Sequence, residues 1–183
     1  MKVQIKFAGL TKTIILLFLL ISFLINFKLN AQTSGVNRWF VDKNASGSNN
    51  GSSWASAWRS FSAIQWNLIG ANDTLFISGG TDSTVYTETL TVGASGSPSG
   101  LLVIRPGLST GHNGKVVIQN GNPNLLYIYN RQYIRVEKIT FRSTWGAVNG
   151  YVVFVDGNYS GGVNVIYLDS LTIISESGTA AGS

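Results

Sequence analysis

The sequence predicts an all-β fold, a solenoid of stacked parallel strands, and three observations carry that expectation. The first is the stretch Tyr133-Ile134-Arg135-Val136-Glu137-Lys138-Ile139-Thr140-Phe141. Apolar and polar residues alternate on either side of Glu137-Lys138, but the alternation breaks between Val136 and Ile139, so two short strands meet there at a corner. The second is that the same grammar returns about thirty residues on, from Val163 to Ile174, with Asp169-Ser170 at the corner. A strand-corner-strand unit repeating at that interval is what a β-solenoid needs, because each coil covers the open face of the last. The third is the lack of two-residue Asn-Gly hairpins tying neighbouring strands into antiparallel pairs, which separates this pattern from a β-sandwich.

The chain opens with a segment that distorts its composition. Lys2, Lys6 and Lys12 precede an apolar run from Ile14 to Phe27, and Leu29-Asn30-Ala31 follows it. That is the charged, apolar, small-residue order of a secretory signal, and residues 1–31 are read as a leader cleaved after Ala31. A membrane anchor is the competing reading, but a run of about fourteen apolar residues is shorter than the roughly twenty that cross a bilayer. Stable membrane insertion is therefore not expected once the leader is gone, and the expected location is secreted or at the cell surface. Removing the leader takes away four lysines and no acid, so the formal charge of +5 falls to +1. A nucleic-acid partner is not expected, since the remaining cations are scattered and balanced by acids. There is no cysteine. An exported chain of this kind relies on burial and hydrogen bonding, and about 150 residues suffice for one core.

Residues 32–70 are expected to hold a strand, a polar loop and a capping helix. Arg38-Trp39-Phe40-Val41 reads as the strand, and Asp42 to Trp54 as a loop of turn formers. The Asp and Asn oxygens of that loop make Ca²⁺ a possible ligand, without the regular acidic spacing of an EF-hand. From Ala57 to Ile69, Trp58, Phe61, Ile64, Gln65 and Leu68 recur at spacings of three and four before Gly70, which predicts an amphipathic helix closing the end of the solenoid. Trp54, Trp58 and Trp66 either pack in that cap or form a surface on which sugar rings stack.

Residues 71–183 are expected to form the first coils. The predicted strands are Thr74 to Ile77, Glu88 to Val92, Leu101 to Arg105, Lys115 to Gln119, Leu125 to Tyr129, the two arms about Glu137-Lys138, Tyr151 to Val155, and the Val163 to Ile174 repeat. Turn sequences such as Ser78-Gly79-Gly80, Pro106-Gly107 and Asn120-Gly121-Asn122-Pro123 lie between them. The chain is expected to stop short of a complete solenoid, at Gly178 to Ser183.

The order Asn72-Asp73-Thr74-Leu75-Phe76-Ile77-Ser78-Gly79-Gly80, Glu88 to Val92, Gly96-Ser97-Pro98, Leu102-Val103-Ile104-Arg105-Pro106, Lys115 to Ile118 and Tyr133 to Phe141 resembles the opening coils of secreted right-handed parallel β-helix (pectin-lyase-like) proteins. Among these it is similar to the amino-terminal coils of alginate-lyase and chondroitinase-B-like polysaccharide lyases, over about Trp39 to Ile174. Ala71-Asn72-Asp73 stands where that family often has Pro-Gly-Asp. The resemblance implies an exported protein that acts on or binds extracellular polysaccharide, of the polyuronate lyase or hydrolase type when complete. The alternative is a non-catalytic surface or adhesive module.

Such lyases neutralise a uronate carboxylate, often with Ca²⁺, while a basic side chain moves the proton. The resemblance places those groups on later coils, so it carries over no catalytic residue, and this chain by itself is expected to be inactive. The local candidates for substrate binding are Tyr127, Tyr129, Arg131 and Arg135, through ring stacking and pairing with carboxylates. Lys138 and Arg142 are further cations, and Glu137 and Asp156 further carboxylates. The bland reading of all of them is the ordinary solvent side of a sheet. His112, in Thr110-Gly111-His112-Asn113-Gly114, has no second His or Cys beside it to suggest a metal site.

Overall fold

The computed structural model describes residues 37–144, 151–156 and 165–175; the expected leader over 1–31 and the terminal Gly178 to Ser183 lie outside them. Twelve strands follow in order: β1 (Arg38–Val41), β2 (Thr74–Ile77), β3 (Ser83–Tyr86), β4 (Leu90–Thr91), β5 (Leu102–Pro106), β6 (Lys115–Asn120), β7 (Leu126–Tyr129), β8 (Ile134–Glu137), β9 (Ile139–Ser143), β10 (Val153–Asp156), β11 (Ile166–Asp169) and β12 (Thr172–Ser175). All the pairings between these strands are parallel. They stack into sheet A (β1-β2-β5-β8-β11), sheet B (β3-β6-β9-β12) and sheet C (β4-β7-β10). The chain visits A, then B, then C, and returns to A one layer on, which makes a right-handed parallel β-helix of about four turns.

Period-two alternation decides which residues fill the coil. Leu75, Ile104 and Val136 share one register column of sheet A and are fully buried. Tyr86, Ile118 and Phe141 form the matching column of sheet B, and Leu90 and Leu126 that of sheet C. Each such buried aliphatic, and Phe141 with them, contributes about 1.5–3 kcal/mol of transfer free energy. Stacking apolar on apolar side chains lets every coil repeat the same packing.

The corner expected at Glu137-Lys138 is present, as is its repeat at Asp169-Ser170. Ile134 registers with Ile166 and Phe141 with Ile173. Lys138 (φ 57°) and Ser170 (φ 55°) both adopt the left-handed conformation that turns the chain in one residue. The Lys138 N–H donates to the Asp169 carbonyl one coil on (3.0 Å), so the two corners are hydrogen-bonded in a stack.

The helix expected from Ala57 to Ile69 is absent. The segment holds bends, turns and one short 3-10 stretch at Trp66–Leu68. Its serines explain the difference, because Ser Oγ atoms compete for the amides that a helix would use. Ser53 Oγ accepts from Ser56 N–H, and Ser60 Oγ accepts from Ala63 N–H. Other amides are drawn to distant partners: Ser62 N–H to Glu88 and Arg59 N–H to Asn49. Trp58 N–H donates to the Phe40 carbonyl, and Trp58 makes a parallel bridge to Val41. Of the apolar positions that suggested a helix, Trp58, Phe61 and Ile64 still face inward and join the core with Ile69, whereas Leu68 is exposed. Burial was legible in the spacing, but backbone conformation was not.

Strand β3 lies between two predicted strands, in a stretch for which the sequence predicts none. Thr84 and Tyr86 point inward there, and Ser83 and Val85 outward. The Tyr86 hydroxyl donates to the Ser78 carbonyl (2.9 Å), which satisfies the phenol inside the core. Burial holds that hydroxyl well above the ordinary tyrosine pKa, with the Asp42 charge adding to the effect.

Candidate functional site

Sheet C puts its aliphatics inside and its aromatics outside. Leu126 and Ile128 are fully buried, and Tyr127 and Tyr129 alternate with them on the outer face. Phe154 on β10 registers with Tyr127, and the two rings stack with centroids 5.0 Å apart and planes at 11°. Tyr129 continues the patch at 6.2 Å from Tyr127, and Tyr151 at 6.2 Å from Phe154. Tyr127 and Phe154, one layer apart on parallel strands, repeat at nearly the strand spacing and stack ring on ring, while Tyr129 extends this ladder along β7.

On the amino-terminal side the ladder runs into a groove. A hollow of about 500 Å³ is lined by Phe61, Ile64, Trp66, Glu88, Thr91 and Asn122, among others. A smaller hollow of about 180 Å³ shares Thr89, Thr91 and Asn122 with it and ends on Tyr127. Trp66 lies against the backbone of Gly93, where a Cβ would fall 2.5 Å from the indole. Glycine is required at that position for the ring to sit flat. Asn122 Nδ2 donates to Thr89 Oγ1 (3.3 Å), and Thr89 Oγ1 donates to the Asn124 carbonyl (2.6 Å), so the rim is fixed by its own hydrogen bonds. One carboxylate oxygen of Glu88 accepts from Ser62 N–H (3.0 Å). The groove thus offers flat rings at one end and amide, hydroxyl and carboxylate groups at the other.

The four candidates from the sequence do not converge. Tyr127 and Tyr129 lie together on sheet C. Arg131 sits on the turn from sheet C to sheet A, its Nη1 3.5 Å from the Asn130 carbonyl. Arg135 points outward from sheet A, with its guanidinium 5.0 Å from the Tyr167 ring centroid, in a separate hollow with Ser97, Ser99 and Tyr133. Of the other charged residues, Glu137 pairs with Arg105 (2.9 Å), and Arg142 donates to Gln119 on sheet B (3.2 Å). Asp156 ends β10, in register with Tyr129.

Trp54, Trp58 and Trp66 have three different fates. Trp58 is fully buried and stacks on Trp39 at 5.4 Å. Trp54 packs outside sheet A against Phe40 and His112. Trp66 lines the sheet C groove, so of the three it alone faces that site.

His112 meets Asp42 and Ser78 in a cluster whose composition suggests a nucleophilic triad. The geometry is that of a clasp. Asp42 Oδ2 (3.2 Å) and Ser78 Oγ (3.0 Å) both lie on Nδ1, whereas a triad places serine and carboxylate on opposite ring nitrogens. Ser78 is buried, and the imidazole stacks on Trp54 at 3.9 Å. The loop considered for Ca²⁺ is likewise committed to protein donors. Asp42 Oδ1 accepts from Asn44 N–H, Asn49 Oδ1 from Arg59 N–H, and Asn50 Oδ1 from Ser52 N–H.

No family model matches the chain, and no curated protein or solved structure matches it either.

Proposed function

We propose that this chain is an exported parallel β-helix that binds extracellular polysaccharide along the outer face of sheet C. The observation that carries the reading is the ring ladder of Tyr127, Phe154 and Tyr129 running into a groove walled by Trp66 and rimmed by Glu88, Thr89, Thr91 and Asn122. Aromatic faces suit the apolar faces of sugar rings, and fixed amides and hydroxyls suit their hydroxyl groups. An extended binding face also fits an extended polymer better than a closed pocket does.

A lyase or hydrolase reading asks for more. Hydrolysis uses a pair of carboxylates, and β-elimination needs a base beside a group that neutralises the uronate. The described lining of the groove supplies Glu88 as its one carboxylate and no cation. The binding reading rests on the residues in place, and it favours neutral over acidic sugars in this groove.

A glycan array carrying neutral and uronate-containing oligosaccharides tests the reading with the full chain. Binding to neutral glycans that disappears in Tyr127→Ala supports it. Binding to none of them, or to uronates alone, would count against it.

A further inference from the structure

We propose that the corner between sheets A and B binds a phosphate monoester, at a site separate from the sheet C groove. Arg105 on β5, Lys115 at the start of β6 and Lys138 at the corner after β8 line one hollow of about 380 Å³, with Asn113 and Gly114 beside them. Three cations from three different elements converge there. Glu137 is the carboxylate in contact with the set, through Arg105 Nη1 at 2.9 Å. Asp82 and Asp169 meet the set through their backbone carbonyls, which accept from Lys115 N–H (2.7 Å) and Lys138 N–H (3.0 Å), and neither lines the hollow. Three positive charges against one negative leave a surplus that a phosphate monoester matches, since it carries about −1.5 to −2 at neutral pH.

Arg105 has donors to spare. The guanidinium carries five N–H donors against the one ion pair with Glu137. Lys138 holds the left-handed conformation (φ 57°) at a corner where glycine or asparagine fits with less strain.

The wall of the hollow is pre-organised. The loop from Gly107 to Gly114 is clasped through His112, which meets Asp42, Ser78 and Trp54. Leu108, 63% exposed, is the ridge that this hollow shares with a neighbouring one of about 460 Å³. That second hollow is walled by Phe40, Trp54 and Phe76, and the Phe40 and Phe76 rings lie 5.8 Å apart. A cationic seat beside an aromatic trough selects a phosphate whose organic part is flat or apolar.

The test is calorimetric titration of the full chain with inorganic phosphate and with phenyl phosphate. Phenyl phosphate binds saturably and several-fold tighter than phosphate. Lys115→Ala and Lys138→Ala each weaken both ligands by about tenfold, the loss of one charge-assisted hydrogen bond. Phe76→Leu removes only the advantage of phenyl phosphate, and Lys43→Ala, at an exposed lysine outside the hollow, changes neither affinity. Because Lys115 and Lys138 are exposed, their variants keep the fold, which circular dichroism checks. No saturable binding, or binding that the Lys115→Ala/Lys138→Ala double variant retains, overturns the site. Equal affinity for the two ligands overturns the role given to the aromatic trough.

Discussion

The outer face of sheet C and the corner between sheets A and B are built on the same coils, yet their chemistry is opposite. Sheet C presents Tyr127, Tyr129 and Phe154, with Glu88 at its groove. The corner presents Arg105, Lys115 and Lys138. Both rest on one interior of stacked aliphatics, so the core leaves the outward residues free to differ. A solenoid separates the two tasks: inward columns specify the coil, and outward columns specify what each face meets.

The largest effect is expected from breaking what the two surfaces share. Phe141 is fully buried between Ile118 and Ile173 in its register column, and Phe141→Ala should cost about 3–5 kcal/mol. Denaturant unfolding measures that loss, and both binding activities should fall together. Retention of one surface in the unfolded-prone variant would show that the coils are not one cooperative unit.

Alkaline pH reaches the core by another route. The Tyr86 phenol has a folded-state pKa raised by burial, so the native state holds its proton more tightly than the unfolded chain does. Its stabilisation is full below the ordinary tyrosine pKa of about 10 and is lost as pH climbs above it. Tyr86→Phe should flatten that alkaline decline in thermal unfolding curves, at the cost of the bond to the Ser78 carbonyl. An unchanged pH profile would contradict the assignment.

Glu137→Gln separates the two surfaces. It removes the charge facing Arg105 within a mostly buried pair, and a loss of about 1–3 kcal/mol is expected. The corner then carries a larger positive surplus, so phosphate affinity should rise while glycan binding stays the same. Lys138→Gly is the smallest and sharpest change. Glycine accepts φ 57° without the Cβ clash, so stability should hold or rise by up to about 1 kcal/mol while phosphate binding weakens. A variant that loses both stability and binding would make Lys138 a structural residue.

Much of the coil is legible in the sequence. Ile134, Val136, Ile139 and Phe141 announce two strands and a corner, because inward alternation and its interruption are written in single residues. Trp58, Phe61 and Ile64 announce burial equally well, but their spacing misleads about conformation, since the hydroxyls of Ser53, Ser56, Ser60 and Ser62 do not show from spacing alone where the amides will bond. The sites were less legible still. Tyr127 and Tyr129 are two residues apart, so alternation places them on one face. Arg131 and Arg135 follow closely in sequence, yet the turn after β7 carries them to other surfaces. Arg105, Lys115 and Lys138 lie on three different elements, and only the register of the coils brings them to one hollow.

The claim that two independent surfaces serve two ligands is tested most directly by affinity electrophoresis through gels containing neutral soluble polysaccharides. The native chain should be retarded by at least one of them. Trp66→Ala and Tyr127→Ala should each abolish that retardation, and the Lys115→Ala/Lys138→Ala double variant, whose own mobility shifts with its charge, should be retarded as much as the native chain when each is compared with its migration in a gel without polysaccharide. Retardation that survives both sheet C substitutions, or that vanishes in the lysine double variant, would contradict the account.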